Sequence, residues 1–201
     1  MNLMKRLLAY LFLVLVLTFN FQSLTKADDI RDFQIEGMSI GDSALRYYSI
    51  TFIKSAKKYN CENGVYKSCK FFTARMGSKG IYTGDIQLNF KKDDLNYIIY
   101  AIGGTVRYPN NINECYKKKK EISFKLEELF PKAKKRNKES AHEADKTGKS
   151  RVESTYFDFS DGSIASVECY DWTKEMGYND HLRISIYEKE YSDWINYEAY
   201  N

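Results

Sequence analysis

A turn flanked by alternating apolar residues constrains the fold of this 201-residue chain most strongly. The alternating positions on either side of Gly162 are Thr155, Phe157, Phe159, Ala165, Val167 and Cys169. A period of two is typical of half-buried strands, and Ser-Asp-Gly favours a three-residue loop with a left-handed glycine. That register pairs Phe157 with Ala165, whereas a two-residue Asp-Gly turn would bury Asp158. We therefore predict an antiparallel hairpin with a three-residue loop.

Further strand and helix patterns lie on both sides of this hairpin. Strand-like segments occupy 70–76, 81–92, 96–108 and 181–189. Apolar residues at helical spacing predict one helix over about 43–58 and a second over 111–135. The Gly103-Gly104 pair predicts a bulge or bend. Segment 135–151 is predicted to be a helical tail passing into a flexible loop, and 191–200 a short aromatic helix that covers an edge.

The order of these elements is helix and three strands, then helix and three strands. It predicts an α+β fold in which two helices pack on antiparallel β meanders, with about six strands. Two arrangements fit: tandem α-βββ halves over 28–108 and 109–201, or one antiparallel sheet with both helices on one face. The short hairpin connections disfavour a parallel sheet.

The first residues carry the pattern of a secretion signal. Lys5 and Arg6 precede an uninterrupted apolar run over 7–17, and Ala27 supplies a small residue before Asp28. Crossing a bilayer takes about 20 apolar residues, so the run is short for a transmembrane helix. We predict a signal peptide over 1–27 and a single exported domain over 28–201, periplasmic or secreted, with no further transmembrane span. Retention of the segment as an anchor is the alternative.

All four cysteines, Cys61, Cys69, Cys115 and Cys169, lie in the part predicted to be exported. An even number in an oxidising compartment predicts two disulfides. Three pairings exist, and we favour Cys61–Cys69 with Cys115–Cys169, in which the second bridge ties the second helix to a strand. The spacings match neither a CxxC motif nor a Cys/His zinc finger, so we expect no metal.

The charge balance argues against a nucleic-acid partner. Lys5, Arg6 and Lys26 are the charged residues of 1–27, which leaves a net charge of +1 for 28–201 out of the +4 of the whole chain. A nucleic-acid binder normally has a clear basic surplus. The lysine runs at 117–120 and 132–138 are predicted to be a solvated helix face rather than a surface for anionic lipid or polymer.

No pattern predicts a catalytic residue, a cofactor or a metal. The aspartates of 158–162 do not match the spacing of an EF-hand loop. His142 and His181 are the two histidines, and no G-x-S-x-G elbow surrounds Ser163 or Ser185. We therefore predict that the chain is not an enzyme.

The aromatic content is the more informative feature. Seventeen tyrosines exceed what a small core needs, and amphipathic rings suit ligand pockets and partner surfaces. We predict a non-catalytic binding or interaction module of the periplasm or envelope, whose partner is an envelope protein or a small ligand. The alternative is a small-molecule-binding protein with an aromatic pocket. A third hypothesis is a hydrolase of envelope polymers that uses His181, or the carboxylates of Glu175 and Asp180.

Several phrases carry a resemblance to known proteins, among them IEGMSIGDSALRYYS, NYIIYAIGGTVRY and KEMGYNDHLRISI. They resemble a group of small exported proteins, without an assigned activity, that is abundant in Pelagibacter-type marine alphaproteobacteria. The G-M-S turn before a helix also resembles the outer-membrane assembly lipoprotein BamE and β-lactamase-inhibitor-like folds, although the lipid-anchor cysteine is missing. The resemblance implies helices packed on an antiparallel meander and a non-catalytic role in the envelope.

Overall fold

One antiparallel sheet with helices on both faces forms the protein. The computed structural model describes residues 29–56, 58–59, 66–78 and 80–200. The predicted signal peptide over 1–27 and Cys61 lie outside the described residues. The predicted α+β class is confirmed, with seven strands of seven or eight residues in the described part of the chain rather than six. A two-residue strand adds to one edge of the sheet.

The elements follow in chain order. The strands are β1 (Lys58–Tyr59), β2 (Phe71–Gly77), β3 (Asp85–Lys91), β4 (Ala101–Arg107), β5 (Lys134–Ala141), β6 (Arg151–Asp158), β7 (Ile164–Asp171) and β8 (His181–Tyr187). The helices are α1 (Ile50–Ser55), α2 (Ile112–Leu129) and α3 (Lys189–Tyr197). The spatial order is β1-β2-β3-β4-β8-β7-β6-β5, and every neighbouring pair is antiparallel. The two meanders therefore join where β4 pairs with β8.

The β6–β7 hairpin has the predicted register. Phe157 lies opposite Ala165, and Thr155 lies opposite Val167. The main-chain N–H of Phe159 donates to the carbonyl of Ser163 at 3.0 Å, which leaves a three-residue loop with Gly162 at φ 86°. Burial of the Phe157 face selects this loop, because shifting the register by one residue would turn that face to solvent.

Helix α2 packs on this hairpin and is held there by a disulfide. Cys115 and Cys169 are bonded, with their Cα atoms 6.0 Å apart, and both are fully buried. This is the pairing favoured from the sequence. The helix follows an Asn111 cap and ends at Leu129, because the next residue, Phe130, precedes Pro131 and is therefore disfavoured in helical conformation.

One lysine of the 117–120 run departs from the predicted solvated face. Lys119 is 4% exposed, and its Nζ lies 2.5 Å from Glu153 Oε1. Lys119 lies one turn from both Cys115 and Ser123, on the face of α2 that packs against the sheet. The ammonium group is therefore buried, and a carboxylate of β6 pairs with it.

The first predicted helix is wrong in length. The segment 43–58 contains a 3-10 turn at Ala44–Arg46 and the six-residue α1. Ser49 has an extended backbone and accepts a hydrogen bond from the N–H of Phe52, so it starts a new helix instead of continuing the old one. The β-branched residues of α1 weaken helical propagation further.

The predicted helical tail is also wrong, since 134–141 forms the edge strand β5. Its eight residues pair with β6, and seven of their side chains are exposed. An edge strand takes its main-chain hydrogen bonds from one neighbour and can be charged on both faces, which protects the edge from aggregation. Its sequence therefore lacks the alternation that identifies the other strands.

Of the predicted bulge or bend at Gly103 and Gly104, the bulge is wrong, because both residues keep a continuous register with β3 and β8. Because glycine has no side chain, side chains of neighbouring residues pack directly against the backbone at both positions. A Cβ at Gly103 would lie 2.8 Å from Ser185 Oγ and 3.4 Å from Arg183 Nε. On the opposite face, a Cβ at Gly104 would overlap the ring of Tyr82, which is buried.

We expect Gly104→Ala to lower the free energy of unfolding by about 1–3 kcal/mol, since the Tyr82 ring must leave its site or distort the strand. The matched control is Gly77→Ala at the end of β2, where a Cβ would meet no atom within 4 Å. Urea denaturation of both variants tests this expectation. Equal stability of the two variants would contradict the packing described for Tyr82.

Helix α3 covers a face of the sheet rather than the predicted edge. Trp194 and Tyr191 pack on Phe71 and Ala101 of the first meander, on the side opposite α2. Trp194 is 1% exposed, and its indole Nε1 donates to Ser68 Oγ at 3.1 Å. The helix does not extend over the second meander, and a cleft lies beside it among the described residues.

Candidate binding cleft

The sheet face opposite α2 is concave next to α3. Small residues occupy its central positions: Gly103, Ser154, Ser166 and Ser185. Helix α3 rises on one side, and the long side chains of β5 and β6 rise on the other. The result is a cleft of about 380 Å³.

Tyrosines converge on this cleft from distant parts of the chain. They are Tyr66, Tyr156, Tyr187, Tyr191 and Tyr200. The rings of Tyr187 and Tyr191 stack at 5.9 Å, and Tyr66 meets Tyr200 edge to face at 5.3 Å. Burial raises the pKa of Tyr200 to about 12 and that of Tyr156 and Tyr191 above the usual range. The phenols of these three residues are therefore neutral hydrogen-bonding groups at physiological pH.

Arg183 lies at the centre of the cleft. Its Nε donates to Ser185 Oγ at 3.0 Å, and its Nη2 donates to Gln87 Oε1 at 3.2 Å. It reaches Gln87 on β3 by crossing β4 over Gly103, which has no side chain to block it. Within the described residues, Arg183 forms no ion pair. A partly buried guanidinium held by neutral groups is a natural contact for an anion.

Burial would by itself lower the pKa of Arg183, but the surrounding tyrosine oxygens and the Glu168 carboxylate outweigh it, so the pKa is raised. The guanidinium therefore remains charged at physiological pH. Its hydrogen bonds to Ser185 and Gln87 fix the plane of the group before any ligand arrives.

Glu168 is the acidic group that the described residues contribute to the cleft. It lies opposite Arg183 in the β7–β8 register and is 7% exposed. Its Oε1 accepts from Tyr156 Oη at 2.9 Å and Ser154 Oγ at 3.1 Å, and its Oε2 accepts from Tyr170 Oη at 3.3 Å. Three hydroxyl donors thus satisfy this carboxylate, so among the described residues Glu168 does not pair directly with the guanidinium.

Basic side chains from β5 complete the rim. Arg136 lies 4.1 Å above the ring of Tyr156 and pairs with Asp158 at 2.7 Å, and Lys138 lines the cleft beside it. In the described part of the chain, the charged residues that line the cleft are therefore three cations and one hydrogen-bonded carboxylate. This balance favours an anionic ligand.

The residues considered for hydrolysis do not form a catalytic constellation. His181 Nδ1 lies 3.0 Å from the carbonyl of Asn179, and the ring stacks on Tyr170 at 4.5 Å. Ser185 accepts from Arg183, and Ser163 donates to Asp161 Oδ1 at 2.5 Å. Neither serine forms a hydrogen bond with a histidine in the described part of the chain. Burial lowers the pKa of His181, so the ring is neutral at pH 7.

Two of the acidic residues considered in the sequence, Asp180 and Asp161, have structural roles. Asp180 Oδ1 accepts from the main-chain N–H of Trp172 at 2.8 Å, and Asp161 caps the hairpin loop through Ser163. Glu175 is exposed in a 3-10 turn. Among the described residues, no group of three His, Cys, Asp or Glu side chains is placed to hold a metal.

The glycine-containing loop DKTGKS is closed by its own carboxylate. Asp145 Oδ2 accepts from the N–H and the hydroxyl of Ser150 at 2.8 and 2.7 Å, and Oδ1 accepts from the N–H of Thr147 at 2.9 Å. The side-chain hydrogen bonds of Thr147 and Ser150 hold the pKa of Asp145 far below its usual range. The donors that could cradle a phosphate are therefore already occupied.

We expect Asp145→Asn to change how the free energy of unfolding depends on pH in the acid range. A carboxyl with a depressed folded-state pKa stabilises the fold above its unfolded pKa of about 3.9, and the contribution is lost as the pH falls through the folded value. The wild type should therefore lose more stability than the variant below about pH 4. Denaturation series from pH 7 to pH 2 measure this difference. Parallel profiles would show that Asp145 titrates normally.

Comparisons with known proteins give no match of this chain to a family model, a curated protein or a solved structure. In the described part of the chain, no helix has the length and apolarity needed to cross a bilayer. The Cys115–Cys169 disulfide fits an oxidising compartment.

Proposed function

We propose that this chain is an exported, non-catalytic binding protein whose tyrosine-lined cleft holds a small anionic organic molecule. The observation that carries the proposal is Arg183, a guanidinium at the centre of the cleft that forms no ion pair in the described residues. A positioned cation with unused hydrogen-bonding capacity binds a carboxylate, sulfate or phosphate group well.

The surroundings of Arg183 support a ligand of small size and mixed polarity. The tyrosine rings offer apolar faces with hydroxyl edges, and Asn89 and Gln87 add amide groups to the lining. Pockets of a few hundred cubic ångströms with a few convergent polar groups are typical of small-molecule sites. Aromatic rings that converge on a cavity support this hypothesis over that of an envelope-protein interaction module, for which they would spread over an exposed face.

Export is part of the proposal. It rests on the positive residues and apolar run of the first 17 residues and on the buried disulfide between α2 and β7. The periplasm or the exterior is the compartment in which such a protein would capture its ligand.

Nuclear magnetic resonance tests the proposal with a panel of low-molecular-weight carboxylates, sulfates and phosphates, each matched to a neutral analogue. The Nε–H of Arg183 and the amides of β8 are expected to shift with at least one anion and not with its neutral analogue. Shifts confined to the lysines of α2, or an absence of shifts across the panel, would contradict the proposal.

A further inference from the structure

A second cleft continues the first along the same face of the sheet. It encloses about 340 Å³ and shares Gln87 with the tyrosine cleft. Strand β8 runs beneath both, with Tyr187 in the first cleft and His181 in the second. Six strand steps at roughly 3.3 Å each separate these residues, so the joined clefts extend for about 20 Å. A single small molecule cannot contact both ends.

The second cleft repeats the chemistry of the first. Its aromatic wall is formed by Trp172 and Tyr178, whose ring centres are 4.8 Å apart, and Tyr178 is 61% exposed. The ring of His142 lies 4.3 Å from Trp172 and supports it from the side. Across the cleft, Arg75 and Arg107 provide two cations. Asp85, the acidic residue of this lining, lies 3.4 Å from Arg75.

Counted over the described residues, the two clefts together place five basic side chains and two acidic ones along one groove with an aromatic wall at each end. Building on the proposed function, we infer that the groove binds a linear acidic oligosaccharide. Its carboxylate or sulfate groups would contact Arg183 and Arg107, and its sugar rings would pack on the tyrosines and on Trp172. Sugar rings suit such a groove because they present apolar faces to aromatic rings and hydroxyls to amides and phenols.

Other extended ligands fit the groove less well. A peptide that binds as an added strand requires an open sheet edge, and the floor of this groove consists of strands paired on both sides. A lipid chain requires a mainly apolar lining, whereas this lining is dominated by charged residues, amides and phenols. The groove is therefore matched to a hydroxyl-rich polyanion.

Calorimetric titration with galacturonic acid and its linear di-, tetra- and hexamers tests the inference. Maltose oligomers of equal length serve as the neutral control. Occupation of both clefts by one chain should raise the affinity for the acidic tetramer at least about tenfold over that for the monomer. The neutral series should bind more weakly at every length.

Two variants test whether the second cleft contributes to the binding of the longer oligomers. Tyr178→Ala and Arg107→Met alter exposed side chains, and each is expected to reduce the ratio of tetramer to monomer affinity toward one. Lys120→Met, which removes the same charge from the exposed face of α2, should leave the ratio as in the wild type.

Failure of this inference is distinguishable from failure of the proposed function. If small anions shift the Arg183 resonance but affinity does not rise with oligomer length, the inference is overturned and the proposed function stands. Equal binding of the acidic and neutral series would likewise overturn it. If no anion of any length reaches Arg183, both are wrong.

Discussion

Replacing Arg183 by methionine is expected to weaken the binding of the small anion about 100-fold. Methionine keeps much of the apolar stem but removes the charge, and loss of one partner of a buried hydrogen-bonded charge pair costs about 2–5 kcal/mol. A hundredfold change corresponds to about 2.8 kcal/mol, within that range. Titration of the variant with the tightest-binding anion of the panel provides the measurement.

Two further variants separate the role of Arg183 from general effects. Lys120→Met removes one positive charge at a solvent-exposed position of α2 and should bind as the wild type does. Arg183→Lys keeps the charge but loses the forked geometry, so an intermediate loss is expected. Circular dichroism establishes that each variant is folded. Wild-type affinity in a folded Arg183→Met protein would rule out the guanidinium as the anion contact.

Removal of the Cys115–Cys169 bridge is expected to cost about 4 kcal/mol of unfolding free energy, from the loop-closure entropy of a crosslink between distant residues. The two cysteines are separated by 54 residues of sequence. The double substitution Cys115→Ala and Cys169→Ala tests this by urea denaturation. A loss of this size is large against the 5–15 kcal/mol that stabilises a typical domain.

A control separates the crosslink from the packing of its sulfur atoms. In a Cys61→Ala, Cys69→Ala background, Cys115–Cys169 is the one bridge that the remaining two cysteines can form. Reductant should then destabilise this background nearly as much as the double substitution does, because it breaks the bond and keeps the thiols. A reduced protein as stable as the oxidised one would show that the bridge contributes no net stability.

The central hairpin could be predicted from the sequence because its information is local. Alternation around Gly162 determines which residues are buried, and the buried face determines the register of Phe157 with Ala165. The helical spacing of the apolar residues in α2 is also local information, and it placed Cys115 on the side of the helix that faces the sheet. Segments whose burial repeats with a clear period are therefore predictable from one chain.

The edge strand β5 could not be predicted in this way. Its residues are exposed on both faces, so neither a period of two nor a helical period distinguishes it from a solvated helix. Its conformation is determined by pairing with β6, which is a tertiary effect. Tertiary contacts also determine the position of helix α3. Its aromatic residues predict that it is covered on one side but do not indicate whether it packs on an edge or on a face of the sheet.

The candidate cleft was even less accessible to sequence reasoning. Arg183 and Glu168 occupy outward positions of their strands, which alternation assigns to solvent. Gln87, which orients Arg183, is 96 residues away in the chain. The one available signal was the surplus of tyrosines, which indicated an aromatic pocket as an alternative but could not locate it. Convergence of distant polar positions depends on strand order, and local patterns in the sequence do not reveal that order.

The most direct test of the account is native mass spectrometry of the protein purified without reductant from an exported fraction, before and after equilibration with the anion panel. We predict the mass of residues 28–201 less the four hydrogens of its four cysteines, together with an anionic adduct of one per chain. The adduct should be absent from Arg183→Met prepared in the same way. A wild-type chain that binds no panel anion, or an adduct that persists in Arg183→Met, would contradict the assignment of the tyrosine-lined cleft as the binding site.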